Sequence, residues 1–325
     1  MAEDIFDVVI VGAGPVGLYA AYYAGYRSLK VAVIDALPQI GGQVSAMYPE
    51  KEIRDIAGFP TILGKDLIHN LHEQAGRYPF ELVLGETVNA VRTVSDDRLV
   101  LATETGRQIE TRSLLIAAGL GRFTPKSLPS LQPPYPDGVM HFVPDVSELD
   151  GRRVVIVGGG DSAVDWALAA LPRARSVTVI HRRARFRAHE ASVEEIRAGG
   201  ARIIAPGEIG QLRGMSTIEG VVVRQPGAEA EEIACDRLIM ALGFTSDLGA
   251  FAEWGLASAG IHFTVGADMQ TSRKRIFAIG DVSEYPGKVR LIAVGFGEAA
   301  IAVNHIAATL NPDQQIFPGH STHAE

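Results

Sequence analysis

Three glycines, Gly12, Gly14 and Gly17, stand in the spacing G-x-G-x-x-G directly after the apolar run Val8 to Val11, with Pro15 behind the second. Glycine at that spacing does a mechanical job. Gly12 permits a tight strand-to-helix turn, Gly14 lets backbone approach a pyrophosphate, and Gly17 lets the helix lie close to the strand. The helix N-terminus offers unpaired N–H groups and a partial positive charge to phosphates. A second apolar run, Val31 to Ile34, ends in Asp35, an acid placed to accept hydrogen bonds from ribose hydroxyls. The chemistry indicated is the holding of a dinucleotide.

The pattern recurs as Gly158, Gly160 and Ala163 after the run Arg153 to Val157, and leads into a helix expected over Ser162 to Leu171. Here the next strand, Val177 to Ile180, ends in His181, Arg182 and Arg183, with Arg185 and Arg187 close behind. An acid at this place favours the 2′-hydroxyl of NAD, whereas guanidinium groups pair bidentately with a 2′-phosphate. The second fold therefore prefers NADPH, and the opposite preference of the first points to FAD.

The elements that must position these residues can be read around them. Residues 37–60, rich in glycine, proline and polar types, read as a long ordered loop; Gly41, Gly42 and Gln43 let backbone lie against a ligand. Tyr48 there is either an aromatic face for that ligand or an anchor on the core. Lys65 to Tyr78 has helical periodicity, and residues 80–116 read as short strands with polar turns. LLIAAGL in the first half is echoed by LIMALGF in the second, each an apolar strand breaking on glycine. A proline-rich linker, 125–144, separates the halves, and 201–240 close the second with short strands. In TSRKRIFAIGD the strand ends in Gly280 and Asp281; Asp281 is a candidate flavin ligand or a helix N-cap. LIAVGFGEAAIAVNHIAATL reads as a helix, and NPDQQIFPGHSTHAE by composition as a frayed tail. The expected class is α/β: two dinucleotide-binding, Rossmann-like domains, the NADPH domain (119–246) inserted into the FAD domain (1–118 and 247–325).

At 325 residues the chain accommodates two ordinary domains. Its formal net charge of −8, with no basic tail, argues against nucleic acid as a partner. An acidic carrier protein would need a local basic patch, for which Arg54, Arg273, Lys274, Arg275 and Lys288 are candidates beside the plain reading of solvated charge. The N-terminus MAEDIFD lacks a secretion signal, and the uncharged stretch 8–25 fits a nucleotide-binding turn rather than a membrane span, so the expected setting is cytoplasmic. A single cysteine, Cys235, leaves no internal disulfide or two-thiol relay and is expected to be a packed core thiol.

Taken together, GAGPVG, GGQVSAMYPEKEIRDIAGFP, GGGDSAVDWAL, HRRARFRAHE, FAIGD, KVRLIAVGFGEA and HST resemble the ferredoxin–NADP+ reductases of the thioredoxin-reductase-like type, homodimeric flavoproteins, over essentially the full chain. Thioredoxin reductases carry C-x-x-C shortly before the second glycine motif. The matching stretch here, HFVPDVSELDGRR, has no cysteine. The resemblance implies that Gly12, Gly14, Pro15, Gly17, Asp35, Gln43, Val88, Phe123 and Asp281 contact FAD, with Tyr48 stacked on one flavin face. It implies that Gly158, Gly160, Asp161, Ser162 and Ala163 cradle the NADPH pyrophosphate, with His181, Arg182, Arg183 and Arg187 at the 2′-phosphate. A C-terminal extension would reach the partner subunit and lay His320, beside Ser321, over the other flavin face, against the frayed-tail reading. Asp35 stands where a glutamate is more usual.

The implied activity is hydride transfer from NADPH to flavin, followed by single-electron transfer to ferredoxin or flavodoxin. Competing readings are an NADPH-dependent diaphorase or quinone-type reductase, and a non-catalytic flavin-binding redox sensor.

Overall fold

The computed structural model describes residues 5–313 and 315–317, and divides into two compact units, Met1–Arg122 with Ser246–Glu325, and Phe123–Thr245.

In the first unit five strands form a parallel sheet in the order Ile276–Ala278, Leu114–Ile116, Val8–Val11, Val31–Asp35, Phe80–Leu84. Val8 to Val11 are buried without a break, as a strand covered on both faces must be, so the run shows no alternation. Helix Pro15–Tyr26 follows the first strand and packs against two others, Gly64–Ala75 and Ile292–Leu310. The first of these buries Leu67, Ile68, Leu71 and Ala75, the stripe its periodicity predicts. Three further strands, Val88–Ser95, Arg98–Thr103 and Gln108–Thr111, pair as an antiparallel sheet.

The segment 37–60 is more regular than the loop expected of it. Gly41 (φ +99°) and Gly42 (φ +54°) turn the chain, and a short helix, Gly42–Met47, starts at once and buries Val44. Glycine, read as a loop marker, is here the hinge into a helix.

Helix Ile292–Leu310 is long and apolar enough by composition to cross a membrane. Sequence inspection raises that question at 8–25 instead. The helix buries Gly295, Glu298, Ala299, Ala302, Val303, Ile306 and Leu310, one stripe turned onto its own unit, with a carboxylate inside it.

The second unit repeats the plan. Its parallel sheet runs Val139–Met140, Arg237–Met240, Arg153–Val157, Ser176–Ile180, Arg202–Ile204. The glycine-turn strand is again central, paired with the next nucleotide-fold strand from Arg153↔Ser176 to Val157↔Ile180. Helix Asp161–Ala170 follows, one residue earlier than the sequence places it. An antiparallel sheet of Glu208–Arg213, Gly220–Arg224 and Glu231–Ala234 completes the unit. Cys235 is fully buried in its core and donates to the Arg237 carbonyl; burial pushes its thiol up to about 12. It is the packed thiol the sequence implies.

Candidate functional site

At the first turn each glycine is fixed by what a side chain would meet. A Cβ on Gly12 (φ +115°) would stand 2.3 Å from the Ala117 carbonyl oxygen, and one on Gly17 would stand 1.8 Å from that of Gly12. Neither contact is possible, so strand, turn and helix close only with glycine. A Cβ on Gly14 would meet nothing within 4 Å. The space over the N-terminus of helix Pro15–Tyr26, with Pro15 as its first residue, is thus open where a phosphate would lie. The residues present fit a dinucleotide.

Asp35 ends its strand 8% exposed, accepting from the Ala13 amide at 2.6 Å and the Leu37 amide at 2.8 Å, one through each oxygen. Burial raises its pKa, and the two backbone hydrogen bonds pull the other way. The carboxylate is built into the turn, with lone pairs left on each oxygen for ribose hydroxyls.

Other segments come to the same end of this sheet. The Gly41 amide donates to the Ala13 carbonyl at 2.8 Å, and a Cβ on Gly42 would stand 3.3 Å from Gly14 Cα. The Gln43 Nε2 would lie 3.4 Å from a Cβ on Gly119. Val16, inside the first turn, has its Cγ2 2.4 Å from where Gly295 would carry a Cβ and 3.6 Å from the same point on Gly280. Asp281 follows within a short 3₁₀ turn, Gly280–Val282, whose cap is Ile279; Asp281 is not a helix N-cap. Tyr48, at the C-terminal end of helix Gly42–Met47, packs on the cluster of Leu18, Val44 and Ile68. Its hydroxyl is pushed up to about 12 by burial first, then by the charges of Asp281 and Asp55. Tyr48 thus packs on the core and also faces the Asp281 region. Val88 is buried, which leaves its backbone as the part that can face a cofactor.

The second turn repeats the closure. A Cβ on Gly158 would stand 2.3 Å from the Ala241 carbonyl oxygen and 2.9 Å from Ala163 Cβ, and Ala163 is fully buried. Asp161 and Ser162 are exposed at the helix start, and Asp161 Oδ1 accepts from the His189 amide at 3.3 Å. Arg182, Arg183, Arg185 and Arg187 are all exposed, and among the described residues none has a carboxylate partner. Arg187 Nη2 would lie 3.8 Å from a Cβ on Gly160, which sets a guanidinium at the mouth of the glycine turn. His181 differs from the rest. It is 7% exposed, its ring lies 5.0 Å from that of Phe186, and its Nε2 has no hydrogen-bond partner. A Cβ on Gly159 would stand 2.3 Å from that ring. Burial, followed by the nearby Arg182, Arg183 and Arg187 charges, lowers its pKa against a backbone hydrogen bond that raises it. His181 is a wall of the turn.

Sequence reasoning misses the carbonyls of Ala117 and Ala241, which dictate the first glycine of each turn, and the dependence of Gly159 on His181. The repeat of LLIAAGL and LIMALGF is the available signal for the first. The docking candidates change more. Lys288 is buried against Glu298, with side chains 1% and 3% exposed. Arg273 donates to the Trp254 carbonyl and Thr93, and Arg275 to the Asp96 and Arg112 carbonyls. Arg54 pairs with Glu52, leaving exposed Lys274. His320 and Ser321, and the side chain of Phe123, lie outside the described residues.

Two glycine turns that close on alanine carbonyls, one ending in an acid and one in arginines, define a two-dinucleotide flavoprotein scaffold. A family model described as pyridine nucleotide-disulphide oxidoreductase matches residues 6–304, and the chain belongs to that family. Within it the chain belongs with the ferredoxin–NADP reductases. It is 51% identical to the ferredoxin–NADP reductase of Salinispora arenicola, over 97% of this chain and 98% of the relative. It is 48% identical to that of Saccharopolyspora erythraea, over 97% of each chain. Among solved structures, thioredoxin reductase of Lactococcus lactis is similar at a TM-score of 0.73 and 26% identity, over 93% of this chain and 97% of that one. The thioredoxin reductase of T. acidophilum, at 0.77 and 24% identity over 95% and 99%, shares the fold.

Proposed function

We propose that the chain moves electrons between NADPH and ferredoxin, with FAD held by the first unit and NADPH by the second. One observation carries the reading. The two turns are alike in closure and opposite at the strand end, Asp35 accepting from backbone in one and Arg182, Arg183 and Arg187 without carboxylate partners among the described residues in the other. Family membership makes the pair an oxidoreductase, and the name its relatives share supplies ferredoxin. Bound FAD would supply the capacity to take two electrons as hydride and release them one at a time. The chain's part is to hold phosphates at Gly14 and Gly160, orient Asp281 and Tyr48 toward the flavin, and select the 2′-phosphate by guanidinium pairing. No acid–base side chain is required. With a single buried cysteine, no dithiol for thioredoxin exists in this sequence.

We further propose a homodimer in which the C-terminal tail brings His320 and Ser321 to the partner's flavin. Support comes from a half-exposed aromatic face on the first unit, where Tyr19, Tyr22, Tyr78, Tyr26 and Tyr23 touch in a closed ring, with Ile301, Ile316 and Phe317 exposed. Arg27 donates to the Ile316 carbonyl at 3.1 Å, which holds the last described residues on that unit. A cytoplasmic setting fits the lack of any possible internal disulfide. The reading is tested by anaerobic stopped-flow absorbance. NADPH bleaches the yellow protein, and ferredoxin but not thioredoxin restores the colour. Absence of bleaching would remove the NADPH assignment, and restoration by neither carrier would remove ferredoxin.

A further inference from the structure

A buried ion pair lies beside the turn that carries Asp281, and the electron transfer proposed above makes no use of it. Lys288 Nζ and Glu298 Oε1 are in contact, with side chains 1% and 3% exposed. Glu298 Oε1 also accepts from the Tyr285 hydroxyl at 2.6 Å. Its Oε2 accepts from the Gly280 amide at 2.7 Å, while the Ser283 hydroxyl, 3.5 Å from that oxygen, gives its proton to the Gly280 carbonyl at 2.8 Å. The Tyr285 ring lies 5.4 Å from Lys288 Nζ, so one residue both donates to the carboxylate and covers the ammonium. Burial, then the hydrogen bond and charge of Glu298, push the Tyr285 hydroxyl up to about 12, which keeps it a donor. Its three donors, the Gly280 amide, the Tyr285 hydroxyl and the Lys288 ammonium, come from one segment, Gly280 to Lys288, and converge on one side chain in helix Ile292–Leu310.

Stability alone does not explain this arrangement. Taking two charges out of water is costly, and a well-packed apolar pair at such a place is often as stable or more so. The helix has glycine or an apolar side chain at its other buried positions, such as Ala299, Ala302, Val303 and Ile306, and Glu298 is its one carboxylate. What the carboxylate holds is the peptide entering Gly280 (φ +72°), the residue before Asp281. A Cβ on Gly280 would stand 3.6 Å from Val16 Cγ2, so that turn lies alongside the first glycine turn. An apolar side chain at 298 could fill the space but could not hold an amide, a hydroxyl and an ammonium of one loop together.

We propose that Glu298, neutralised by Lys288, is the positioning residue of the FAD site: it holds the Gly280–Asp281 turn in the conformation that receives the cofactor. The proposal rests on the reading that this unit binds FAD through Asp281. It predicts that affinity for FAD and stability of the fold come apart. The test compares wild type, Glu298→Gln, and the double variant Lys288→Met/Glu298→Leu. Each is stripped of FAD and titrated with FAD by fluorescence, with NADP+ affinity and the melting temperature measured on the same samples. Glu298→Gln leaves a buried ammonium without its counter-charge and is expected to lower the melting temperature and raise the FAD Kd at least tenfold. The double variant removes both charges and is expected to melt well above Glu298→Gln, short of wild type only by the Gly280 amide and Tyr285 hydroxyl left without their acceptor. It is still expected to bind FAD at least tenfold more weakly than wild type. NADP+ affinity stays at the wild-type value in both. Wild-type FAD affinity in the double variant would overturn the proposal even if the single variant fails to fold. A parallel loss of NADP+ affinity would also overturn it, because the defect would then be general. Wild-type protein that takes up no FAD would instead remove the underlying reading, and the proposal with it.

Discussion

At the turn after Val11 the Ala13 amide donates to Asp35, whereas at the turn after Val157 the matching residue is Gly159, pressed against the His181 ring. Both turns close on an alanine carbonyl at the same 2.3 Å from a would-be Cβ, so the mechanical requirement is shared. The difference lies at the tip of the second strand. In the first unit a carboxylate is committed partly to bracing the turn. In the second an imidazole packs against the turn and the Arg187 and Ala188 amides donate to the Gly159 carbonyl at 2.7 and 3.2 Å, which leaves the arginine side chains free of that duty. On the function proposed above, one plan thus divides structural and recognition work differently: Asp35 would do both, while in the second unit His181 shapes the turn and the arginines are left to meet the ligand.

The largest way to break this comparison is at the third glycine position. Gly17→Ala puts a Cβ 1.8 Å from a carbonyl oxygen that cannot move without the strand. It is expected to cost about 3 kcal/mol or more and to yield colourless protein, read by thermal melting and FAD content. The second unit already carries Ala163 there, and Ala163→Gly is expected to cost only about 1 kcal/mol, from lost helix propensity. If Gly17→Ala melts like wild type, the closures differ in tightness far less than their geometry says.

Next comes recognition. Arg187→Ala removes one charge-assisted pairing at the Gly160 turn, a loss of about 1.5–3 kcal/mol, so the Kd for NADP+ should rise about tenfold to a hundredfold. Affinity for NAD+ and FAD content should not change. Equal weakening toward NAD+ and NADP+ would show Arg187 to be a general phosphate contact.

Asp35→Asn tests the double duty of the acid. Both oxygens accept from backbone amides, so an NH₂ group must face one of those donors. The expected cost is about 1–3 kcal/mol at neutral pH. Because burial raises the Asp35 pKa, the folded state holds its proton more tightly than the unfolded chain does. Wild type therefore loses this contribution as pH rises from the unfolded value, about 3.9, to the raised folded value. The substituted amide cannot titrate, so the penalty of the variant should widen toward acid pH. Urea melts of both proteins between about pH 3.5 and 7 measure it, and a penalty that narrows toward acid would contradict the raised pKa.

Much of this is legible in the chain, and the reasons are specific. Buried parallel strands announce themselves as unbroken runs such as VVIV and RVVIV, and glycine spacing reports backbone contacts, which are local. The exposed charge of Arg182 to Arg187 is legible because these residues follow a strand end directly. Lys288 misleads by the same logic. Its partner, Glu298, lies on a helix beginning after Leu291, and no local pattern shows that the chain folds back to bury both. The one usable signal is the lone carboxylate in an otherwise apolar helix. The Gly42–Met47 helix is hidden for a related reason: positive-φ glycines mark a loop and a hinge alike.

The finest test concerns Gly159 and His181, whose contact no sequence pattern announces. Gly159→Ala alone drives a methyl into the imidazole, 2.3 Å away, and must tilt either the turn or the ring. His181→Ala alone opens a cavity beside Phe186 and gives up the ring's one hydrogen bond, to the Arg185 backbone, while its unpartnered Nε2 loses nothing. If the ring braces the turn by bulk, the added methyl fills part of the space the ring vacates. The double variant should then be more stable than the sum of the single losses by about 1 kcal/mol, with NADP+ affinity recovering in step. Additive losses would mean that the turn holds its shape without the ring, and the contrast with Asp35 would reduce to chemistry at the ligand alone.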